Sequence, residues 1–543
     1  VSSEWREEPT PQTSSSAAGR MTMMYRPGTP TTRLILLDVS SDTPRLLEEA
    51  TYDGNYVSAR LTGQIVRLVT NNRPQVTSTQ PQYNQQPSPA QQRAAERESL
   101  AANQQSAEAV SLTDVLPQVS RRNAGGTVLG AGPAVSCSQT SYAPDSAGDS
   151  TLLVTTLRPS VGLAATDSDA ITTDGDLVYA SENRLYVATS RWGTSAPVGG
   201  PATDVMVDPA VSSDEAQKRP AQDPSATSTA ITTPSPTASP TDEVTTDLHA
   251  FDVSGETTRY VGSGAVPGYV LGRWALSEDK GVLRVATTRQ PPWEQTNPSG
   301  QQAQTSSMLV KLAEQDGKLV ETGRVEGLGK TERIQAVRYF GDLAAVVTFR
   351  QTYPLYLVDL AGTPKVLGEL KVNGFSTYLH PLGGGLLLGL GQEADDQGRT
   401  TGTHVSVFDI NDPANPRQVD RLQLGTGYSP AQDDSRAFSY DPTRRMAMFA
   451  FSAYDVRGYQ GPVGALGISV SAAGQLNRVG LLEVTQNAPT QRVLYDADHV
   501  YAVSDSGVAA GDPATMTRTG QADFAGADNN GAGSTEPAPA IKR

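Results

Sequence analysis

One short signature constrains this chain more than any other. An apolar residue, an aspartate and a second apolar residue close a strand-like run at Leu37-Asp38-Val39, Phe251-Asp252-Val253, Val358-Asp359-Leu360 and Phe408-Asp409-Ile410. A proline and a basic residue follow a few positions later, at Pro44-Arg45, Pro364-Lys365 and Pro416-Arg417. An aspartate in that place can accept the backbone N–H groups of the turn after it. Asp359 and Asp409 lie 50 residues apart, and Asp252 precedes Asp359 by 107, or two periods. Four short strands in a period of about fifty residues make a propeller blade.

The segments between the aspartates fit. Arg333 to Gly391 alternates short runs of Val, Leu, Tyr and Phe with turn clusters at Gly341-Asp342, Asn373-Gly374 and Pro381 to Gly385. Such runs read as antiparallel strands. Counted from the first strand that ends in the aspartate signature, repeats fall at 32–70, 151–192, 247–290, 307–351, 354–392, 404–454 and 465–505. A lone strand pair follows at 507–524. The expected fold is all-β: a propeller of four-stranded blades, seven visible and about eight if an N-terminal start completes one, with a small helical insertion. The lone pair would wait for those N-terminal strands and leave exposed edges.

Residues 1–30 read as a strand remnant and loop, 31–525 as the propeller, and 526–543 as a disordered tail. Two insertions interrupt the propeller. Residues 71–150 open with a Gln/Asn/Pro-rich stretch expected to be disordered, then Gln91 to Ala109 lacks Pro and Gly and predicts a helix. Cys137, in the return path, reads as a small buried residue. Residues 193–245, Ser/Thr/Pro-rich and without an aromatic residue, cannot bury a core.

Charge and composition exclude some functions. The net charge is −15 and no basic patch is visible in the sequence, which argues against nucleic acid and anionic membrane. With one cysteine there is no intrachain disulfide. The apolar run from Gly383 to Gly391 is too short to span a bilayer.

The sequence RIQAVRYFGDLAAVVTFRQTYPLYLVDL, followed by PKVLGELKVNGFSTYLHPLGGGLLLGLG, resembles bacterial secreted proteins with a C-terminal β-propeller domain. The resemblance is strongest over 330–425 and departs at Tyr353, where the family more often has Asp. It implies export, a propeller fold and no established catalytic residues. Members open with a signal or anchor and a first strand pair. By that comparison Val1 to Ser3 is the tail of a strand that starts upstream, and the protein is secreted or held at the cell envelope.

No catalytic spacing emerges. There is no nucleophile elbow, and His249, His380, His404 and His499 do not fall in a metal-binding pattern. The Asp167 to Asp176 run lacks the spacing of a calcium loop. No metal and no cofactor are expected. FRQTYPLY reads as the junction of two blades, where loops would gather at the channel mouth. Arg350, Gln351 and Tyr353 there, with Ser376, Tyr378 and His380, are the candidate binding residues. The expected function is a non-enzymatic, monomeric scaffold that binds a protein, peptide or glycan on its loop face. The alternative is a hydrolase or lactonase-like propeller with a site in the central channel, by analogy of fold alone.

Overall fold

The structure, a computed structural model, describes residues 2–6, 24–25, 29–191, 244–289, 305–349 and 353–524, apart from short gaps at 42, 75–77, 84–86, 143–147, 176, 373, 396–398, 455–459 and 485–487. The 193–245 insertion lies outside the described residues, save Val244 and Thr245, and the 526–543 tail lies wholly outside them.

Among the described residues eight blade-like, mainly antiparallel sheets follow one another along the chain. Blade 5 shows the pattern, with Arg333–Phe340 innermost, then Leu343–Phe349, Tyr353–Asp359 and Lys365–Val372 outermost. In blades 2 to 7 neighbouring blades cover both faces, so second strands are near-continuous apolar runs such as Leu343–Phe349, whereas Val500–Ser504 and Gly507–Gly511 of the last sheet alternate buried and part-exposed residues. The outer strand Lys365–Val372 instead alternates toward solvent. Blades 3 and 4 touch edge to edge through a single parallel bridge, Ser263 to Lys318.

The blade frame corrects the frame read from sequence by two strands. The aspartate signature ends the third strand of a blade, not the first. Asp38, Asp252, Asp359 and Asp409 stand directly opposite Arg45, Arg259, Lys365 and Arg417 in the hairpin between strands three and four. Each aspartate accepts the backbone N–H two residues on, from Ser40, Ser254, Ala361 and Asn411, at 3.0–3.1 Å. Each also pairs with its opposite cation, most closely Arg417 to Asp409 at 2.7 Å.

Two expectations change with the frame. The pair at 507–524 is not waiting for N-terminal strands; it joins Thr490–Tyr495 and Val500–Ser504 as blade 8, four consecutive strands. FRQTYPLY is not a junction of blades either. Val347 pairs with Leu355, so that loop connects strands two and three inside blade 5.

Just after each hairpin turn the outer strand carries a one-residue bulge, at Leu47, Thr166, Val261, Thr322, Leu367, Val419, Val479 and Thr519 in blades 1 to 8. The residue after the bulge meets the corresponding turn of the next blade. Where it is acidic it accepts a backbone N–H there: Glu48 from Leu163 at 2.9 Å, Asp167 from Thr258 at 2.6 Å and Asp420 from Leu476 at 2.7 Å. Where it is glycine the two backbones touch. A Cβ on Gly323 would meet Pro364, on Gly368 the carbonyls of Pro413 and Ala414, and on Gly480 that of Thr515. Gly262 abuts Gly317 in the same way. One device thus repeats at seven junctions. Gly520, its counterpart in blade 8, has only Ala510 of its own blade within 4 Å.

The 71–150 insertion leaves blade 2 between its second and third strands, Ile65–Asn72 and Thr151–Leu157. Its helix runs Pro89–Glu108, started by a capping box of Ser88 with Gln91 and by proline in the first turn. The helix is held by polar bonds, with Asn103 both accepting from and donating to the Thr79 backbone. Asn71 and Asn72, placed by sequence in a disordered stretch, belong to a strand, and Ser78–Thr79 pairs with Met24–Tyr25. The return path adds Gln118–Asn123 and Val128–Pro133 to the outside of blade 1. Cys137 is exposed, not buried, because it sits on a short 3-10 turn beyond that hairpin.

Candidate site at the channel

Four blades supply a cavity of about 370 Å³. Trp274 comes from the turn that enters blade 4, Gln335 from the inner strand of blade 5, Thr377 and Tyr378 from that of blade 6, and Gln432 and Asp433 from the turn entering blade 7. Gln335 and Thr377 are bulged residues, opposite no partner in their hairpins. A bulge breaks the strict in-out alternation of a strand, which re-aims those side chains into the cavity. That volume is within the range of small-ligand pockets.

The walls present donors with nothing to donate to. Gln432 Oε1 accepts from Gln392 Nε2 at 2.8 Å and from Thr377 Oγ1 at 3.2 Å, so its amide nitrogen is the free end. Gln432 Nε2, Gln335 Nε2 and Arg338 Nη1 are all buried without a hydrogen-bond partner. Unsatisfied buried donors cost free energy, on the order of 1–3 kcal/mol each, and native structures hold few.

Beside the cavity an aromatic and cationic layer crosses the channel. Arg338 lies 4.4 Å from the centre of the Trp274 ring, and Arg273 lies 5.3 Å from it. Tyr378 meets Trp274 edge-on and packs on Phe438, with His380 between Phe438 and Tyr440. Burial, and then the Arg338 charge, hold His380 at about 4, so it is neutral near pH 7. Burial pushes the Tyr378 hydroxyl up to about 12.

Next to this layer Asp434 collects three guanidiniums: Arg436 and Arg492 at 2.9 Å, and Arg273 at 4.0 Å. Burial opposes the Asp434 charge, but the Arg436 hydrogen bonds and the Arg436 and Arg492 charges hold its pKa below the ordinary carboxylate value. Burial, then the nearby Arg60 charge, lower that of Arg273. These residues come from blades 2, 4, 7 and 8, of which only 7 and 8 are neighbours in the sheet order. The channel therefore concentrates positive charge in a chain of net charge −15, a local basic patch invisible to a count along the sequence.

Of the residues singled out from sequence, Tyr378 and His380 belong to this layer, with Tyr378 Oη 3.3 Å from His380 Nδ1. Ser376 is buried against Gly389 inside blade 6 and does not line the cavity. Tyr353 begins the third strand of blade 5, with its backbone opposite Val372. Arg350 and Gln351 lie outside the described residues. Sequence reading missed Trp274, Gln335, Arg338 and Gln432. In the corrected frame the inner strands of blades 2, 5 and 6 read NYVSARLT, RIQAVRYF and FSTYLHPL, with Arg60, Arg338 and His380 each three residues past the bulge.

Comparison with known proteins agrees with the architecture. Residues 2–516 match the family model of the beta propeller domain. The chain belongs to that family. This β-propeller is 41% identical over 197 residues to an uncharacterised protein of Methanocaldococcus jannaschii, covering 36% of this chain and 29% of that protein. It is 38% identical over 182 residues to an uncharacterised protein of Archaeoglobus fulgidus, covering 33% and 26%. The matches thus span less than a third of each relative. A solved structure, the Chaetomium thermophilum Sqt1, aligns with 12% identity and a TM-score of 0.27 over 44% of this chain and 69% of its own, a likeness that carries no argument. No helix among the described residues is long and apolar enough to cross a membrane.

Proposed function

We propose that this β-propeller is a binding scaffold, not an enzyme, and that it takes its ligand in the cavity between blades 4 and 7. The observation that carries the reading is that Gln335 and Gln432, which line one cavity, each bury an Nε2 donor without an acceptor, as Arg338 does its Nη1 on the Trp274 ring beside it. A bound ligand would supply those acceptors. The hydrolase alternative asks for a ring of inward carboxylates. Among the described residues no three His, Cys, Asp or Glu side chains are placed to hold a metal ion, and the side chains named around the cavity are mainly arginines and aromatics. The sequence resemblance supports a place outside the cytoplasm, secreted or at the cell envelope, and a single cysteine is compatible with it.

The test is ligand-observed NMR with a panel of short peptides and oligosaccharides, on the wild type and on Gln335→Leu. At least one panel member should bind the wild type and lose its signal with the variant. Binding that survives Gln335→Leu unchanged, or none at all, would overturn the reading. Cleavage of a bound member, seen by mass spectrometry, would favour the hydrolase.

A further inference from the structure

Resting on the reading above, we infer that the ligand is an acidic peptide segment, whose carboxylate is received by Arg338 with the amides of Gln335 and Gln432. Three observations lead there.

The first is uncompensated charge. Arg338 and Arg60 have no carboxylate within ion-pair distance among the described residues. Arg338 is half-buried, its contacts being the Trp274 ring and nearby aromatic groups, and burial lowers its pKa from the ordinary value. A desolvated guanidinium without a counter-charge is costly, and an incoming anion removes that cost. Around the axis Arg60, Arg273, Arg338, Arg436 and Arg492 outnumber Asp433 and Asp434.

The second is donor geometry. Primary amides and guanidiniums present coplanar N–H pairs, which match the planar carboxylate better than a tetrahedral or neutral group. All three free donors are of this kind.

The third is a precedent inside the site. Asp434, a carboxylate carried on a peptide loop, already occupies the adjoining arginines Arg436, Arg492 and Arg273. The ligand carboxylate would repeat that arrangement on the unused side. An acidic sugar shares the anion but would want an aromatic face for its ring. Trp274, the tryptophan at the cavity, is 40% exposed, but the guanidiniums of Arg338 and Arg273 already stand over its ring, 4.4 and 5.3 Å from its centre.

Fluorescence anisotropy with a labelled penta-glutamate peptide, its penta-glutamine counterpart, and tri-galacturonate as competitor tests the proposal. The glutamate peptide should bind at least tenfold tighter than the glutamine peptide, and weaken as salt is raised. Arg338→Gln should lose at least tenfold in affinity. If that variant does not fold, Gln335→Glu, which places a carboxylate among the donors, should do the same. Equal binding of the two peptides, or variants that bind as the wild type does, would overturn the carboxylate and leave the scaffold reading standing. Tri-galacturonate binding more tightly than the glutamate peptide would replace the peptide with an acidic glycan. Loss of all binding to every probe would end both readings.

Discussion

Arg273 Nη2 donates to Ser435 Oγ over 2.6 Å, joining the turn that enters blade 4 to the turn that enters blade 7. The two residues are 162 apart in sequence, and the bond crosses the channel instead of following the ring. It also holds together two walls of the cavity, since Gly272 and Trp274 flank one partner and Gln432 and Asp433 precede the other. Arg273→Leu should therefore lower unfolding free energy by about 1–3 kcal/mol, the worth of a hydrogen bond from a charged group. Ser435→Ala, which also leaves Arg273 its contact with Asp434, should cost less. Urea titrations of both variants check this. Equal losses would mean that the Asp434 contact contributes nothing.

The junction between blades makes a sharper prediction. Gly368 has no room for a Cβ, because the carbonyls of Pro413 and Ala414 from blade 6 occupy the space. Gly520 holds the same position in blade 8 and faces only Ala510 at 4.0 Å. Gly368→Ala should destabilise by about 1–3 kcal/mol, as an overpacked contact does. Gly520→Ala should stay within about 0.5 kcal/mol of wild type. Thermal melts of the pair decide it, and similar losses at both sites would remove the junction as the cause.

Much of this architecture was legible because its repeat is chemical. An aspartate that accepts a turn N–H and faces a cation is needed wherever that hairpin recurs, so Asp38, Asp252, Asp359 and Asp409 could be read without coordinates. Which strand lies innermost was not legible, since a meander looks alike from any starting strand. That error moved the expected site to the loop at 350–353, within blade 5. The cavity residues were hidden for another reason. Gln335 and Thr377 face it through bulges, and a bulge leaves no mark in a period-two pattern. Tyr378 and His380 were legible because they stand just before Pro381, at the end of a strand-like run where loops would line a face.

The hairpin aspartate divides into two parts that mutation can separate. Asp409 accepts from the Asn411 backbone at 3.1 Å and pairs with Arg417 at 2.7 Å. The Arg417 side chain is 71% exposed, so the ion pair is screened and worth little. Asp409→Ala should cost about 1 kcal/mol through the lost turn bond. Arg417→Ala should cost less than about 0.5 kcal/mol. Chemical denaturation of the two variants at low and high salt is the measurement. A larger loss from Arg417→Ala would show the pair, not the turn, to be the reason for the signature.

Two buried histidines set an acid limit on stability. His249 and His404 are 1% and 2% exposed. Burial pushes His249 down to about 4; burial, then the Arg421 charge, push His404 down to about 3. In the unfolded chain both titrate near the ordinary value of about 6.5. Between those values the unfolded state holds more protons than the folded one, so acid favours unfolding. The stability is fully present above about pH 6.5 and is lost as pH falls toward the folded values, at about 1.4 kcal/mol per histidine per pH unit. His249→Leu removes one of three such groups, His380 in the aromatic layer being the third. Urea unfolding at pH 7, 5.5 and 4.5 should show the variant losing stability less steeply than the wild type. Parallel curves would mean that His249 takes up its proton as readily inside the propeller as in the unfolded chain.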